Sequence, residues 1–170
     1  MIPPIRLAVL LSGSGTTLQN LLDHSALDDL LPACAHRGTG VVVGGVFGSG
    51  ILADPRPGAR YGYRPAEPPV LTRALRIQEV CRSHGVPLAS AALHFPLGHS
   101  AVVNVLVGMR HPDEVAANTA AFRGPVPAGL WADLRAEGLL DPRAPVPLTP
   151  APALPAPDDG RLSPRKAGSS

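Results

Sequence analysis

The sequence predicts an α/β fold built on parallel strands. Three apolar runs of strand length, Ile5–Leu11 (IRLAVLL), Val41–Val46 (VVVGGV) and Ala101–Val107 (AVVNVLV), show little polar alternation. The unbroken Ile5–Leu11 run has the pattern of a strand buried on both faces, and the other two read as further strands. Each run leads into glycine-containing turn residues and then into a stretch with helical apolar spacing. Strand, turn and helix in repeating order is the grammar of a parallel sheet with helical crossovers.

The elements follow in order. Ile5–Leu11 is the first strand and Ser12–Thr17 (SGSGTT) its turn. Ser25 is placed to cap a helix with Asp28 three residues on, and Leu27, Leu30, Leu31 and Cys34 form its apolar stripe. Pro32 inside that segment kinks the helix or draws its start toward itself. Gly38 and Gly40 close it before the second strand. Ser49–Pro69, rich in Pro, Gly and Arg, reads as a long loop, functional or disordered. Val70–His84 is a helix with Val70, Ala74, Ile77, Val80 and Cys81 on one face, ended by Gly85. Leu88–Phe95 is a second, Ala-rich helix stopped by Pro96 and Gly98. After the third strand, Pro112, Asp113 and Glu114 suit the first turn of a helix running to about Phe122. Pro127–Glu137 is a last short helix carrying Trp131. From Ala144 to Ser170 the Pro, Ala, Asp and Ser composition without periodicity reads as a disordered tail.

Composition excludes several classes of function. A net charge of +2 with scattered arginines offers no nucleic-acid or anionic-membrane surface. No apolar run approaches the roughly 18 residues that span a bilayer. The N-terminal apolar stretch runs straight into a turn motif and reads as a strand rather than a secretory signal. A cytoplasmic location is therefore expected, with Cys34 and Cys81 as buried thiols. No metal site is expected: His94 and His99 flank Pro96–Gly98 without a third ligand at suitable spacing. His24, His36, His84 and His111 lie beside helix ends, where capping or solvent exposure accounts for them.

Four segments carry a family resemblance: Ser25–Ala53 (SALDDLLPACAHRGTGVVVGGVFGSGILA), Pro57–Leu71 (PGARYGYRPAEPPVL), Ile77–Asn118 (containing VLVGMRHPDEVAAN) and Pro125–Leu140 (PVPAGLWADLRAEGLL). Together they make the stretch Leu21–Pro147 resemble the C-terminal half of an aldo/keto reductase, nearest the D-threo-aldose (L-fucose) 1-dehydrogenase type. The resemblance implies a partial (β/α)₈ barrel in residues 24–143, with about three parallel strands and flanking helices. It implies NAD as cofactor, with NADP as the alternative, and a small-molecule sugar as substrate. Phe47, Gly48, Ser49 and Gly50 would lie along the cofactor pyrophosphate, Gly108, Met109 and Arg110 would meet the adenosine ribose, and Glu114 and Asn118 would reach ribose and adenine.

Physical chemistry bears on those residues independently. Small residues at 48–50 let backbone N–H groups approach an anion. A helix beginning near 111–114 adds positive potential. Glu114 and Asn118 are four apart and share a helix face. A carboxylate at 114 accepts from a ribose 2′-hydroxyl and repels a 2′-phosphate, favouring NAD, while Arg110 argues the other way.

The departures concern catalysis. The family's Asp, Tyr, Lys and His, which move the proton, are not identifiable here, so no catalytic residue is assigned. Both tyrosines lie in the Ser49–Pro69 loop, and Lys166, the sole lysine, is in the tail. Val107 stands where the family has Pro, and Gly48 where Asn is common. Exposed barrel edges would favour self-association, or make the chain a non-catalytic fragment that folds against a partner. Separately, residues 1–23, through IRLAVLLSGSGTTLQNLLD (Ile5–Asp23), resemble the opening of a phosphoribosylglycinamide formyltransferase. On that reading Ser12, Gly13, Ser14 and Gly15 would cradle a substrate phosphate.

Overall fold

The computed structural model describes residues 7–10 and 30–148. The expected phosphate loop Ser12, Gly13, Ser14 and Gly15, the Ser25 cap and residues 149–170 lie outside them.

Three strands form one parallel sheet in the order β1 (Leu7–Leu10), β2 (Gly40–Gly44) and β5 (Val102–Leu106). Ala8 pairs with Val41 and Val41 with Val102; the register of β2 on β5 shifts between Val41 and Val42. The three apolar runs thus become neighbours running the same way, and the loops that follow β2 and β5 emerge at the same rim.

Helix α1 (Leu30–His36) precedes β2 and turns its Leu31 and Cys34 into the core, while Leu30 stays exposed. Pro32 sits near the start of the described helix, where a missing N–H costs least. Gly38, at φ 62°, takes the left-handed conformation that ends the helix. Helix α2 (Pro68–Ser83) opens on two prolines and buries Ala74, Val80 and Cys81.

Helix α3 (Leu88–His94) is buried almost all round; most of its side chains are apolar, as such burial requires, and Ser90 and His94 are its buried polar residues. One side joins a cluster with α2 and α5 (Ala128–Ala136), where Cys81, Leu130 and Trp131 are buried. Its Leu93 joins a second cluster with Leu31, Val41 and Val43 beneath the sheet. Helix α4 (Pro112–Arg123) lies more loosely on the surface with no fully buried residue. Its Phe122 stacks on the buried His94, ring centroids 5.1 Å apart and planes 12° from parallel. Strand β5 keeps Val103 and Leu106 exposed.

Two expectations change. The Ser49–Pro69 stretch contains structure: a 3₁₀ turn at Gly48–Gly50 and an antiparallel hairpin of β3 (Arg60–Tyr61) and β4 (Arg64–Pro65). Strands of two residues carry no readable period, so composition alone gives a loop. The start of the expected tail also packs. Ala144 and Val146 are buried, and the Arg135 guanidinium donates to the Ala144 carbonyl at 2.7 Å. Val146 comes so close to Gly98 that a Cβ there would lie 2.5 Å from its Cα. The segment opens on a turn, the Ala144 N–H donating to Asp141 O at 3.1 Å, and its Ala144 and Val146 join the apolar cluster of Leu130 and Trp131.

Candidate functional site

At the carboxyl rim of β2 the chain reverses through Gly45, at φ 73°. The turn is closed by the Gly48 N–H donating to Gly45 O and the Gly50 N–H to Phe47 O, both at 2.9 Å. Ile51 and Leu52 then anchor it in the core. These amides are engaged within the turn, so the loop presents its shape and the Ser49 side chain more than free N–H groups. Gly48 sits at φ 54°, and a Cβ there would touch Ile51 and Tyr61. Glycine and asparagine are the residues that adopt this left-handed conformation most readily, which reconciles Gly48 with the Asn common at the corresponding family position.

At the rim of β5, Gly108–His111 leads into α4. His111 caps the helix, its Nδ1 accepting the Asp113 N–H at a long 3.5 Å, and the Glu114 N–H donates to His111 O at 3.0 Å. The first-turn amides therefore already have partners, and the acidic side chains of Asp113 and Glu114 offset the helix's positive end. Glu114 curls back so that its Oε2 accepts the Arg110 N–H at 2.7 Å, and its Oε1 lies 3.9 Å from the Arg110 guanidinium. That backbone hydrogen bond outweighs the opposing desolvation and, with a smaller contribution from the charge of Arg110, holds the Glu114 carboxyl below the ordinary carboxylate range.

The two rims and the hairpin enclose one cleft of about 760 Å³, within the size range of small-molecule sites. Seven of the expected residues line it together: Phe47, Ser49, Gly50, Gly108, Arg110, Glu114 and Asn118. Two do not. Gly48 is buried beneath the hairpin. Met109 faces a separate groove of about 390 Å³ along the exposed side of β5, beside Val103 and Phe122.

Sequence reasoning missed the third wall. Asp54, Arg56, Arg60 and Tyr63 from the hairpin segment also line the cleft. Arg56 Nε pairs with Asp54 Oδ2 at 2.6 Å, whereas Arg60 has no carboxylate partner among the described residues. The signal lay in three arginines and two tyrosines concentrated in one loop after a strand end. Tyr63 packs its backbone onto the first wall: its N–H donates to Ser49 Oγ at 3.1 Å. Among the described residues no group of three or more His, Cys, Asp or Glu is placed to hold a metal ion, and no helix is long and apolar enough to cross a membrane.

The sequence profile of the aldo/keto reductase family matches residues 17–136. The chain belongs to the aldo/keto reductase family. It is 42% identical over 124 residues to a D-threo-aldose 1-dehydrogenase from Pseudomonas sp, covering 72% of this chain and 37% of that protein. It is 40% identical over 122 residues to a pyridoxal 4-dehydrogenase from Microbacterium luteolum, covering 71% and 36%. The chain thus spans little more than a third of these relatives. An apo aldo-keto reductase structure from Bacillus halodurans superposes with a TM-score of 0.51 at 21% identity, covering 83% of this chain and 52% of that one. The three parallel strands of this aldo/keto reductase chain accordingly form a partial (β/α)₈ barrel, and its cleft opens where such barrels carry their functional loops, at the carboxyl ends of the strands.

Proposed function

We propose that the cleft binds the adenosine and pyrophosphate portions of a nicotinamide dinucleotide, as the cofactor-side part of an NAD-dependent sugar dehydrogenase. One observation carries this reading: two neighbouring parallel strands bring both expected loops to a single cleft of about 760 Å³. The residues present fit the group. Glu114, held as an anion, is suited to accept from a ribose hydroxyl. The guanidiniums of Arg56, Arg60 and Arg110 on the cleft walls supply charge for a pyrophosphate. A carboxylate fixed at position 114 favours the 2′-hydroxyl of NAD over the 2′-phosphate of NADP. The dehydrogenase names of the relatives support oxidoreductase chemistry, and the aldose relative supports a sugar as substrate.

When bound, the dinucleotide supplies hydride acceptance. This chain's residues contribute binding. Of the candidates for proton transfer, Tyr61 and Tyr63 lie on the hairpin and Lys166 outside the described residues. Since the family's Asp, Tyr, Lys and His set is not identifiable in the sequence, cofactor binding without appreciable turnover is the expected behaviour of the chain on its own. The exposed Val103 and Leu106 on β5 support association through that face, and the free, buried Cys34 and Cys81 accord with a reducing cytoplasm. Calorimetric titration with NAD⁺ and NADP⁺ tests the reading. Saturable binding with NAD⁺ the tighter ligand is expected; no heat of binding for either at millimolar concentration overturns it.

A further inference from the structure

Tyr63 stands where the backbone does not want it. The hairpin reverses through Gly62 and Tyr63, with φ of 57° and 63°, the signature of a turn whose two central residues both need left-handed backbone. Glycine or asparagine satisfies that requirement without strain, and a large aromatic residue does not. Ser49 has the same problem, at φ 61°. These are the only non-glycine residues with positive φ among the described residues. The two are not independent, because the Tyr63 N–H donates to Ser49 Oγ at 3.1 Å across fourteen residues. Both line the cleft. Tyr61, two residues earlier, packs against the core, whereas Tyr63 remains 63% exposed. Its ring therefore gains little from burial while its backbone is strained. A local conflict of this kind, maintained by a specific tie and placed at a binding cleft, points to a use for the side chain.

We infer that Tyr63, positioned by Ser49, contacts the bound ligand and stacks its ring on the adenine of the dinucleotide. The inference rests on the dinucleotide reading above. It is adenine rather than the nicotinamide end because Glu114, the carboxylate suited to the adenosine ribose, lines the same cleft. A flat ring offered in that cleft meets the base attached to that sugar, and Arg60 lines the same cleft for the phosphates. Stacking on an aromatic side chain needs no hydrogen-bond code, only an exposed face.

The test uses the full chain with NAD⁺, AMP and nicotinamide mononucleotide as calorimetric probes, and thermal melting as an independent readout. Tyr63→Gly relieves the turn, so Tm is expected to rise. The same substitution is expected to weaken NAD⁺ and AMP alike by about tenfold, the scale of one base–aromatic stack, and to leave nicotinamide mononucleotide unchanged. Tyr63→Phe keeps the ring and is expected to bind as the unaltered chain does. Ser49→Ala frees the turn from the loop and is expected to weaken AMP by a smaller factor. Unchanged AMP binding in Tyr63→Gly, a loss shared by the mononucleotide, or loss in Tyr63→Phe overturns the inference and leaves the dinucleotide reading standing. Failure of the unaltered chain to bind either NAD⁺ or AMP overturns both.

Discussion

The carboxylate of Glu114 accepts the backbone N–H of Arg110, four residues upstream, at 2.7 Å. The bond ties the first turn of α4 to the loop that leaves β5, and it keeps Glu114 ionised below its ordinary range. A carboxyl whose folded pKa is depressed contributes stability that is present above its unfolded value and is lost as pH falls through the folded one. Between pH 8 and about 5 the group stays an anion, so NAD⁺ affinity is expected to be flat with respect to Glu114 over that window. Glu114→Gln removes the charge and is expected to shift the NADP⁺/NAD⁺ affinity ratio toward NADP⁺ by about fivefold, the scale of exposed charge effects. Paired titrations of the two nucleotides across this pH range, on both forms of the chain, check it.

Gly98 and Val146 touch backbone to side-chain position, with no room for even a methyl group between them. Gly98→Ala must push residues 145–148 away or distort the 3₁₀ turn at Phe95–Gly98. Overpacking of this kind costs about 1–3 kcal/mol, read as a lower urea midpoint with little change in slope. Tryptic cleavage after Arg143 is expected to accelerate, because the segment beyond it loses its seat. Unchanged cleavage and unchanged midpoint would show that the segment yields without cost.

Burial pushes the Cys81 thiol up to about 11 from an ordinary value of 9.0. The folded chain thus holds this proton more tightly than the unfolded one. The associated stability is complete below the unfolded pKa and declines as pH rises from there toward about 11. At pH 8 Cys81 is expected to resist a disulfide reagent, since the thiolate is the nucleophile and the residue is fully buried; Cys34, also buried, is expected to resist it through lack of access. Two thiols are expected to appear together in urea, at the denaturant concentration where tryptophan fluorescence reports unfolding. A fast-reacting thiol in buffer would contradict that expectation.

The parts of this fold that are legible in sequence are those set by long-range burial of continuous apolar runs. Val41–Val43 and Val102–Leu106 read as strands from their largely apolar, β-branched runs, and they lie side by side in parallel, although Val103 and Leu106 of β5 stay exposed. Gly85 and Pro112 mark helix ends for reasons local to the chain, whereas Pro68 and Pro69, read as loop, open α2 two residues ahead of Val70. What escapes is set by contacts between short segments. Arg60–Tyr61 pairing with Arg64–Pro65 leaves no periodic trace, and Arg56 and Arg60 look like solvated loop charges until the hairpin brings them to the cleft. Gly48 and Met109 carry the right neighbours in sequence but face away from the cleft, because a one-residue step along a tight turn or an extended segment redirects the side chain. Ala144 and Val146 are two apolar residues among prolines, too few to signal packing, yet enough to fill a groove beside Gly98.

Helix α3 has a wider consequence. Ala91 and Ala92 belong to one apolar cluster and Leu93 to the other, so seven residues rivet the sheet to the outer helices. Neither half can loosen while the other stays intact, because the shared helix would lose one of its faces to water. The chain should therefore melt in a single cooperative step, with amide exchange slowest along Leu88–His94 and faster in the surface helix α4.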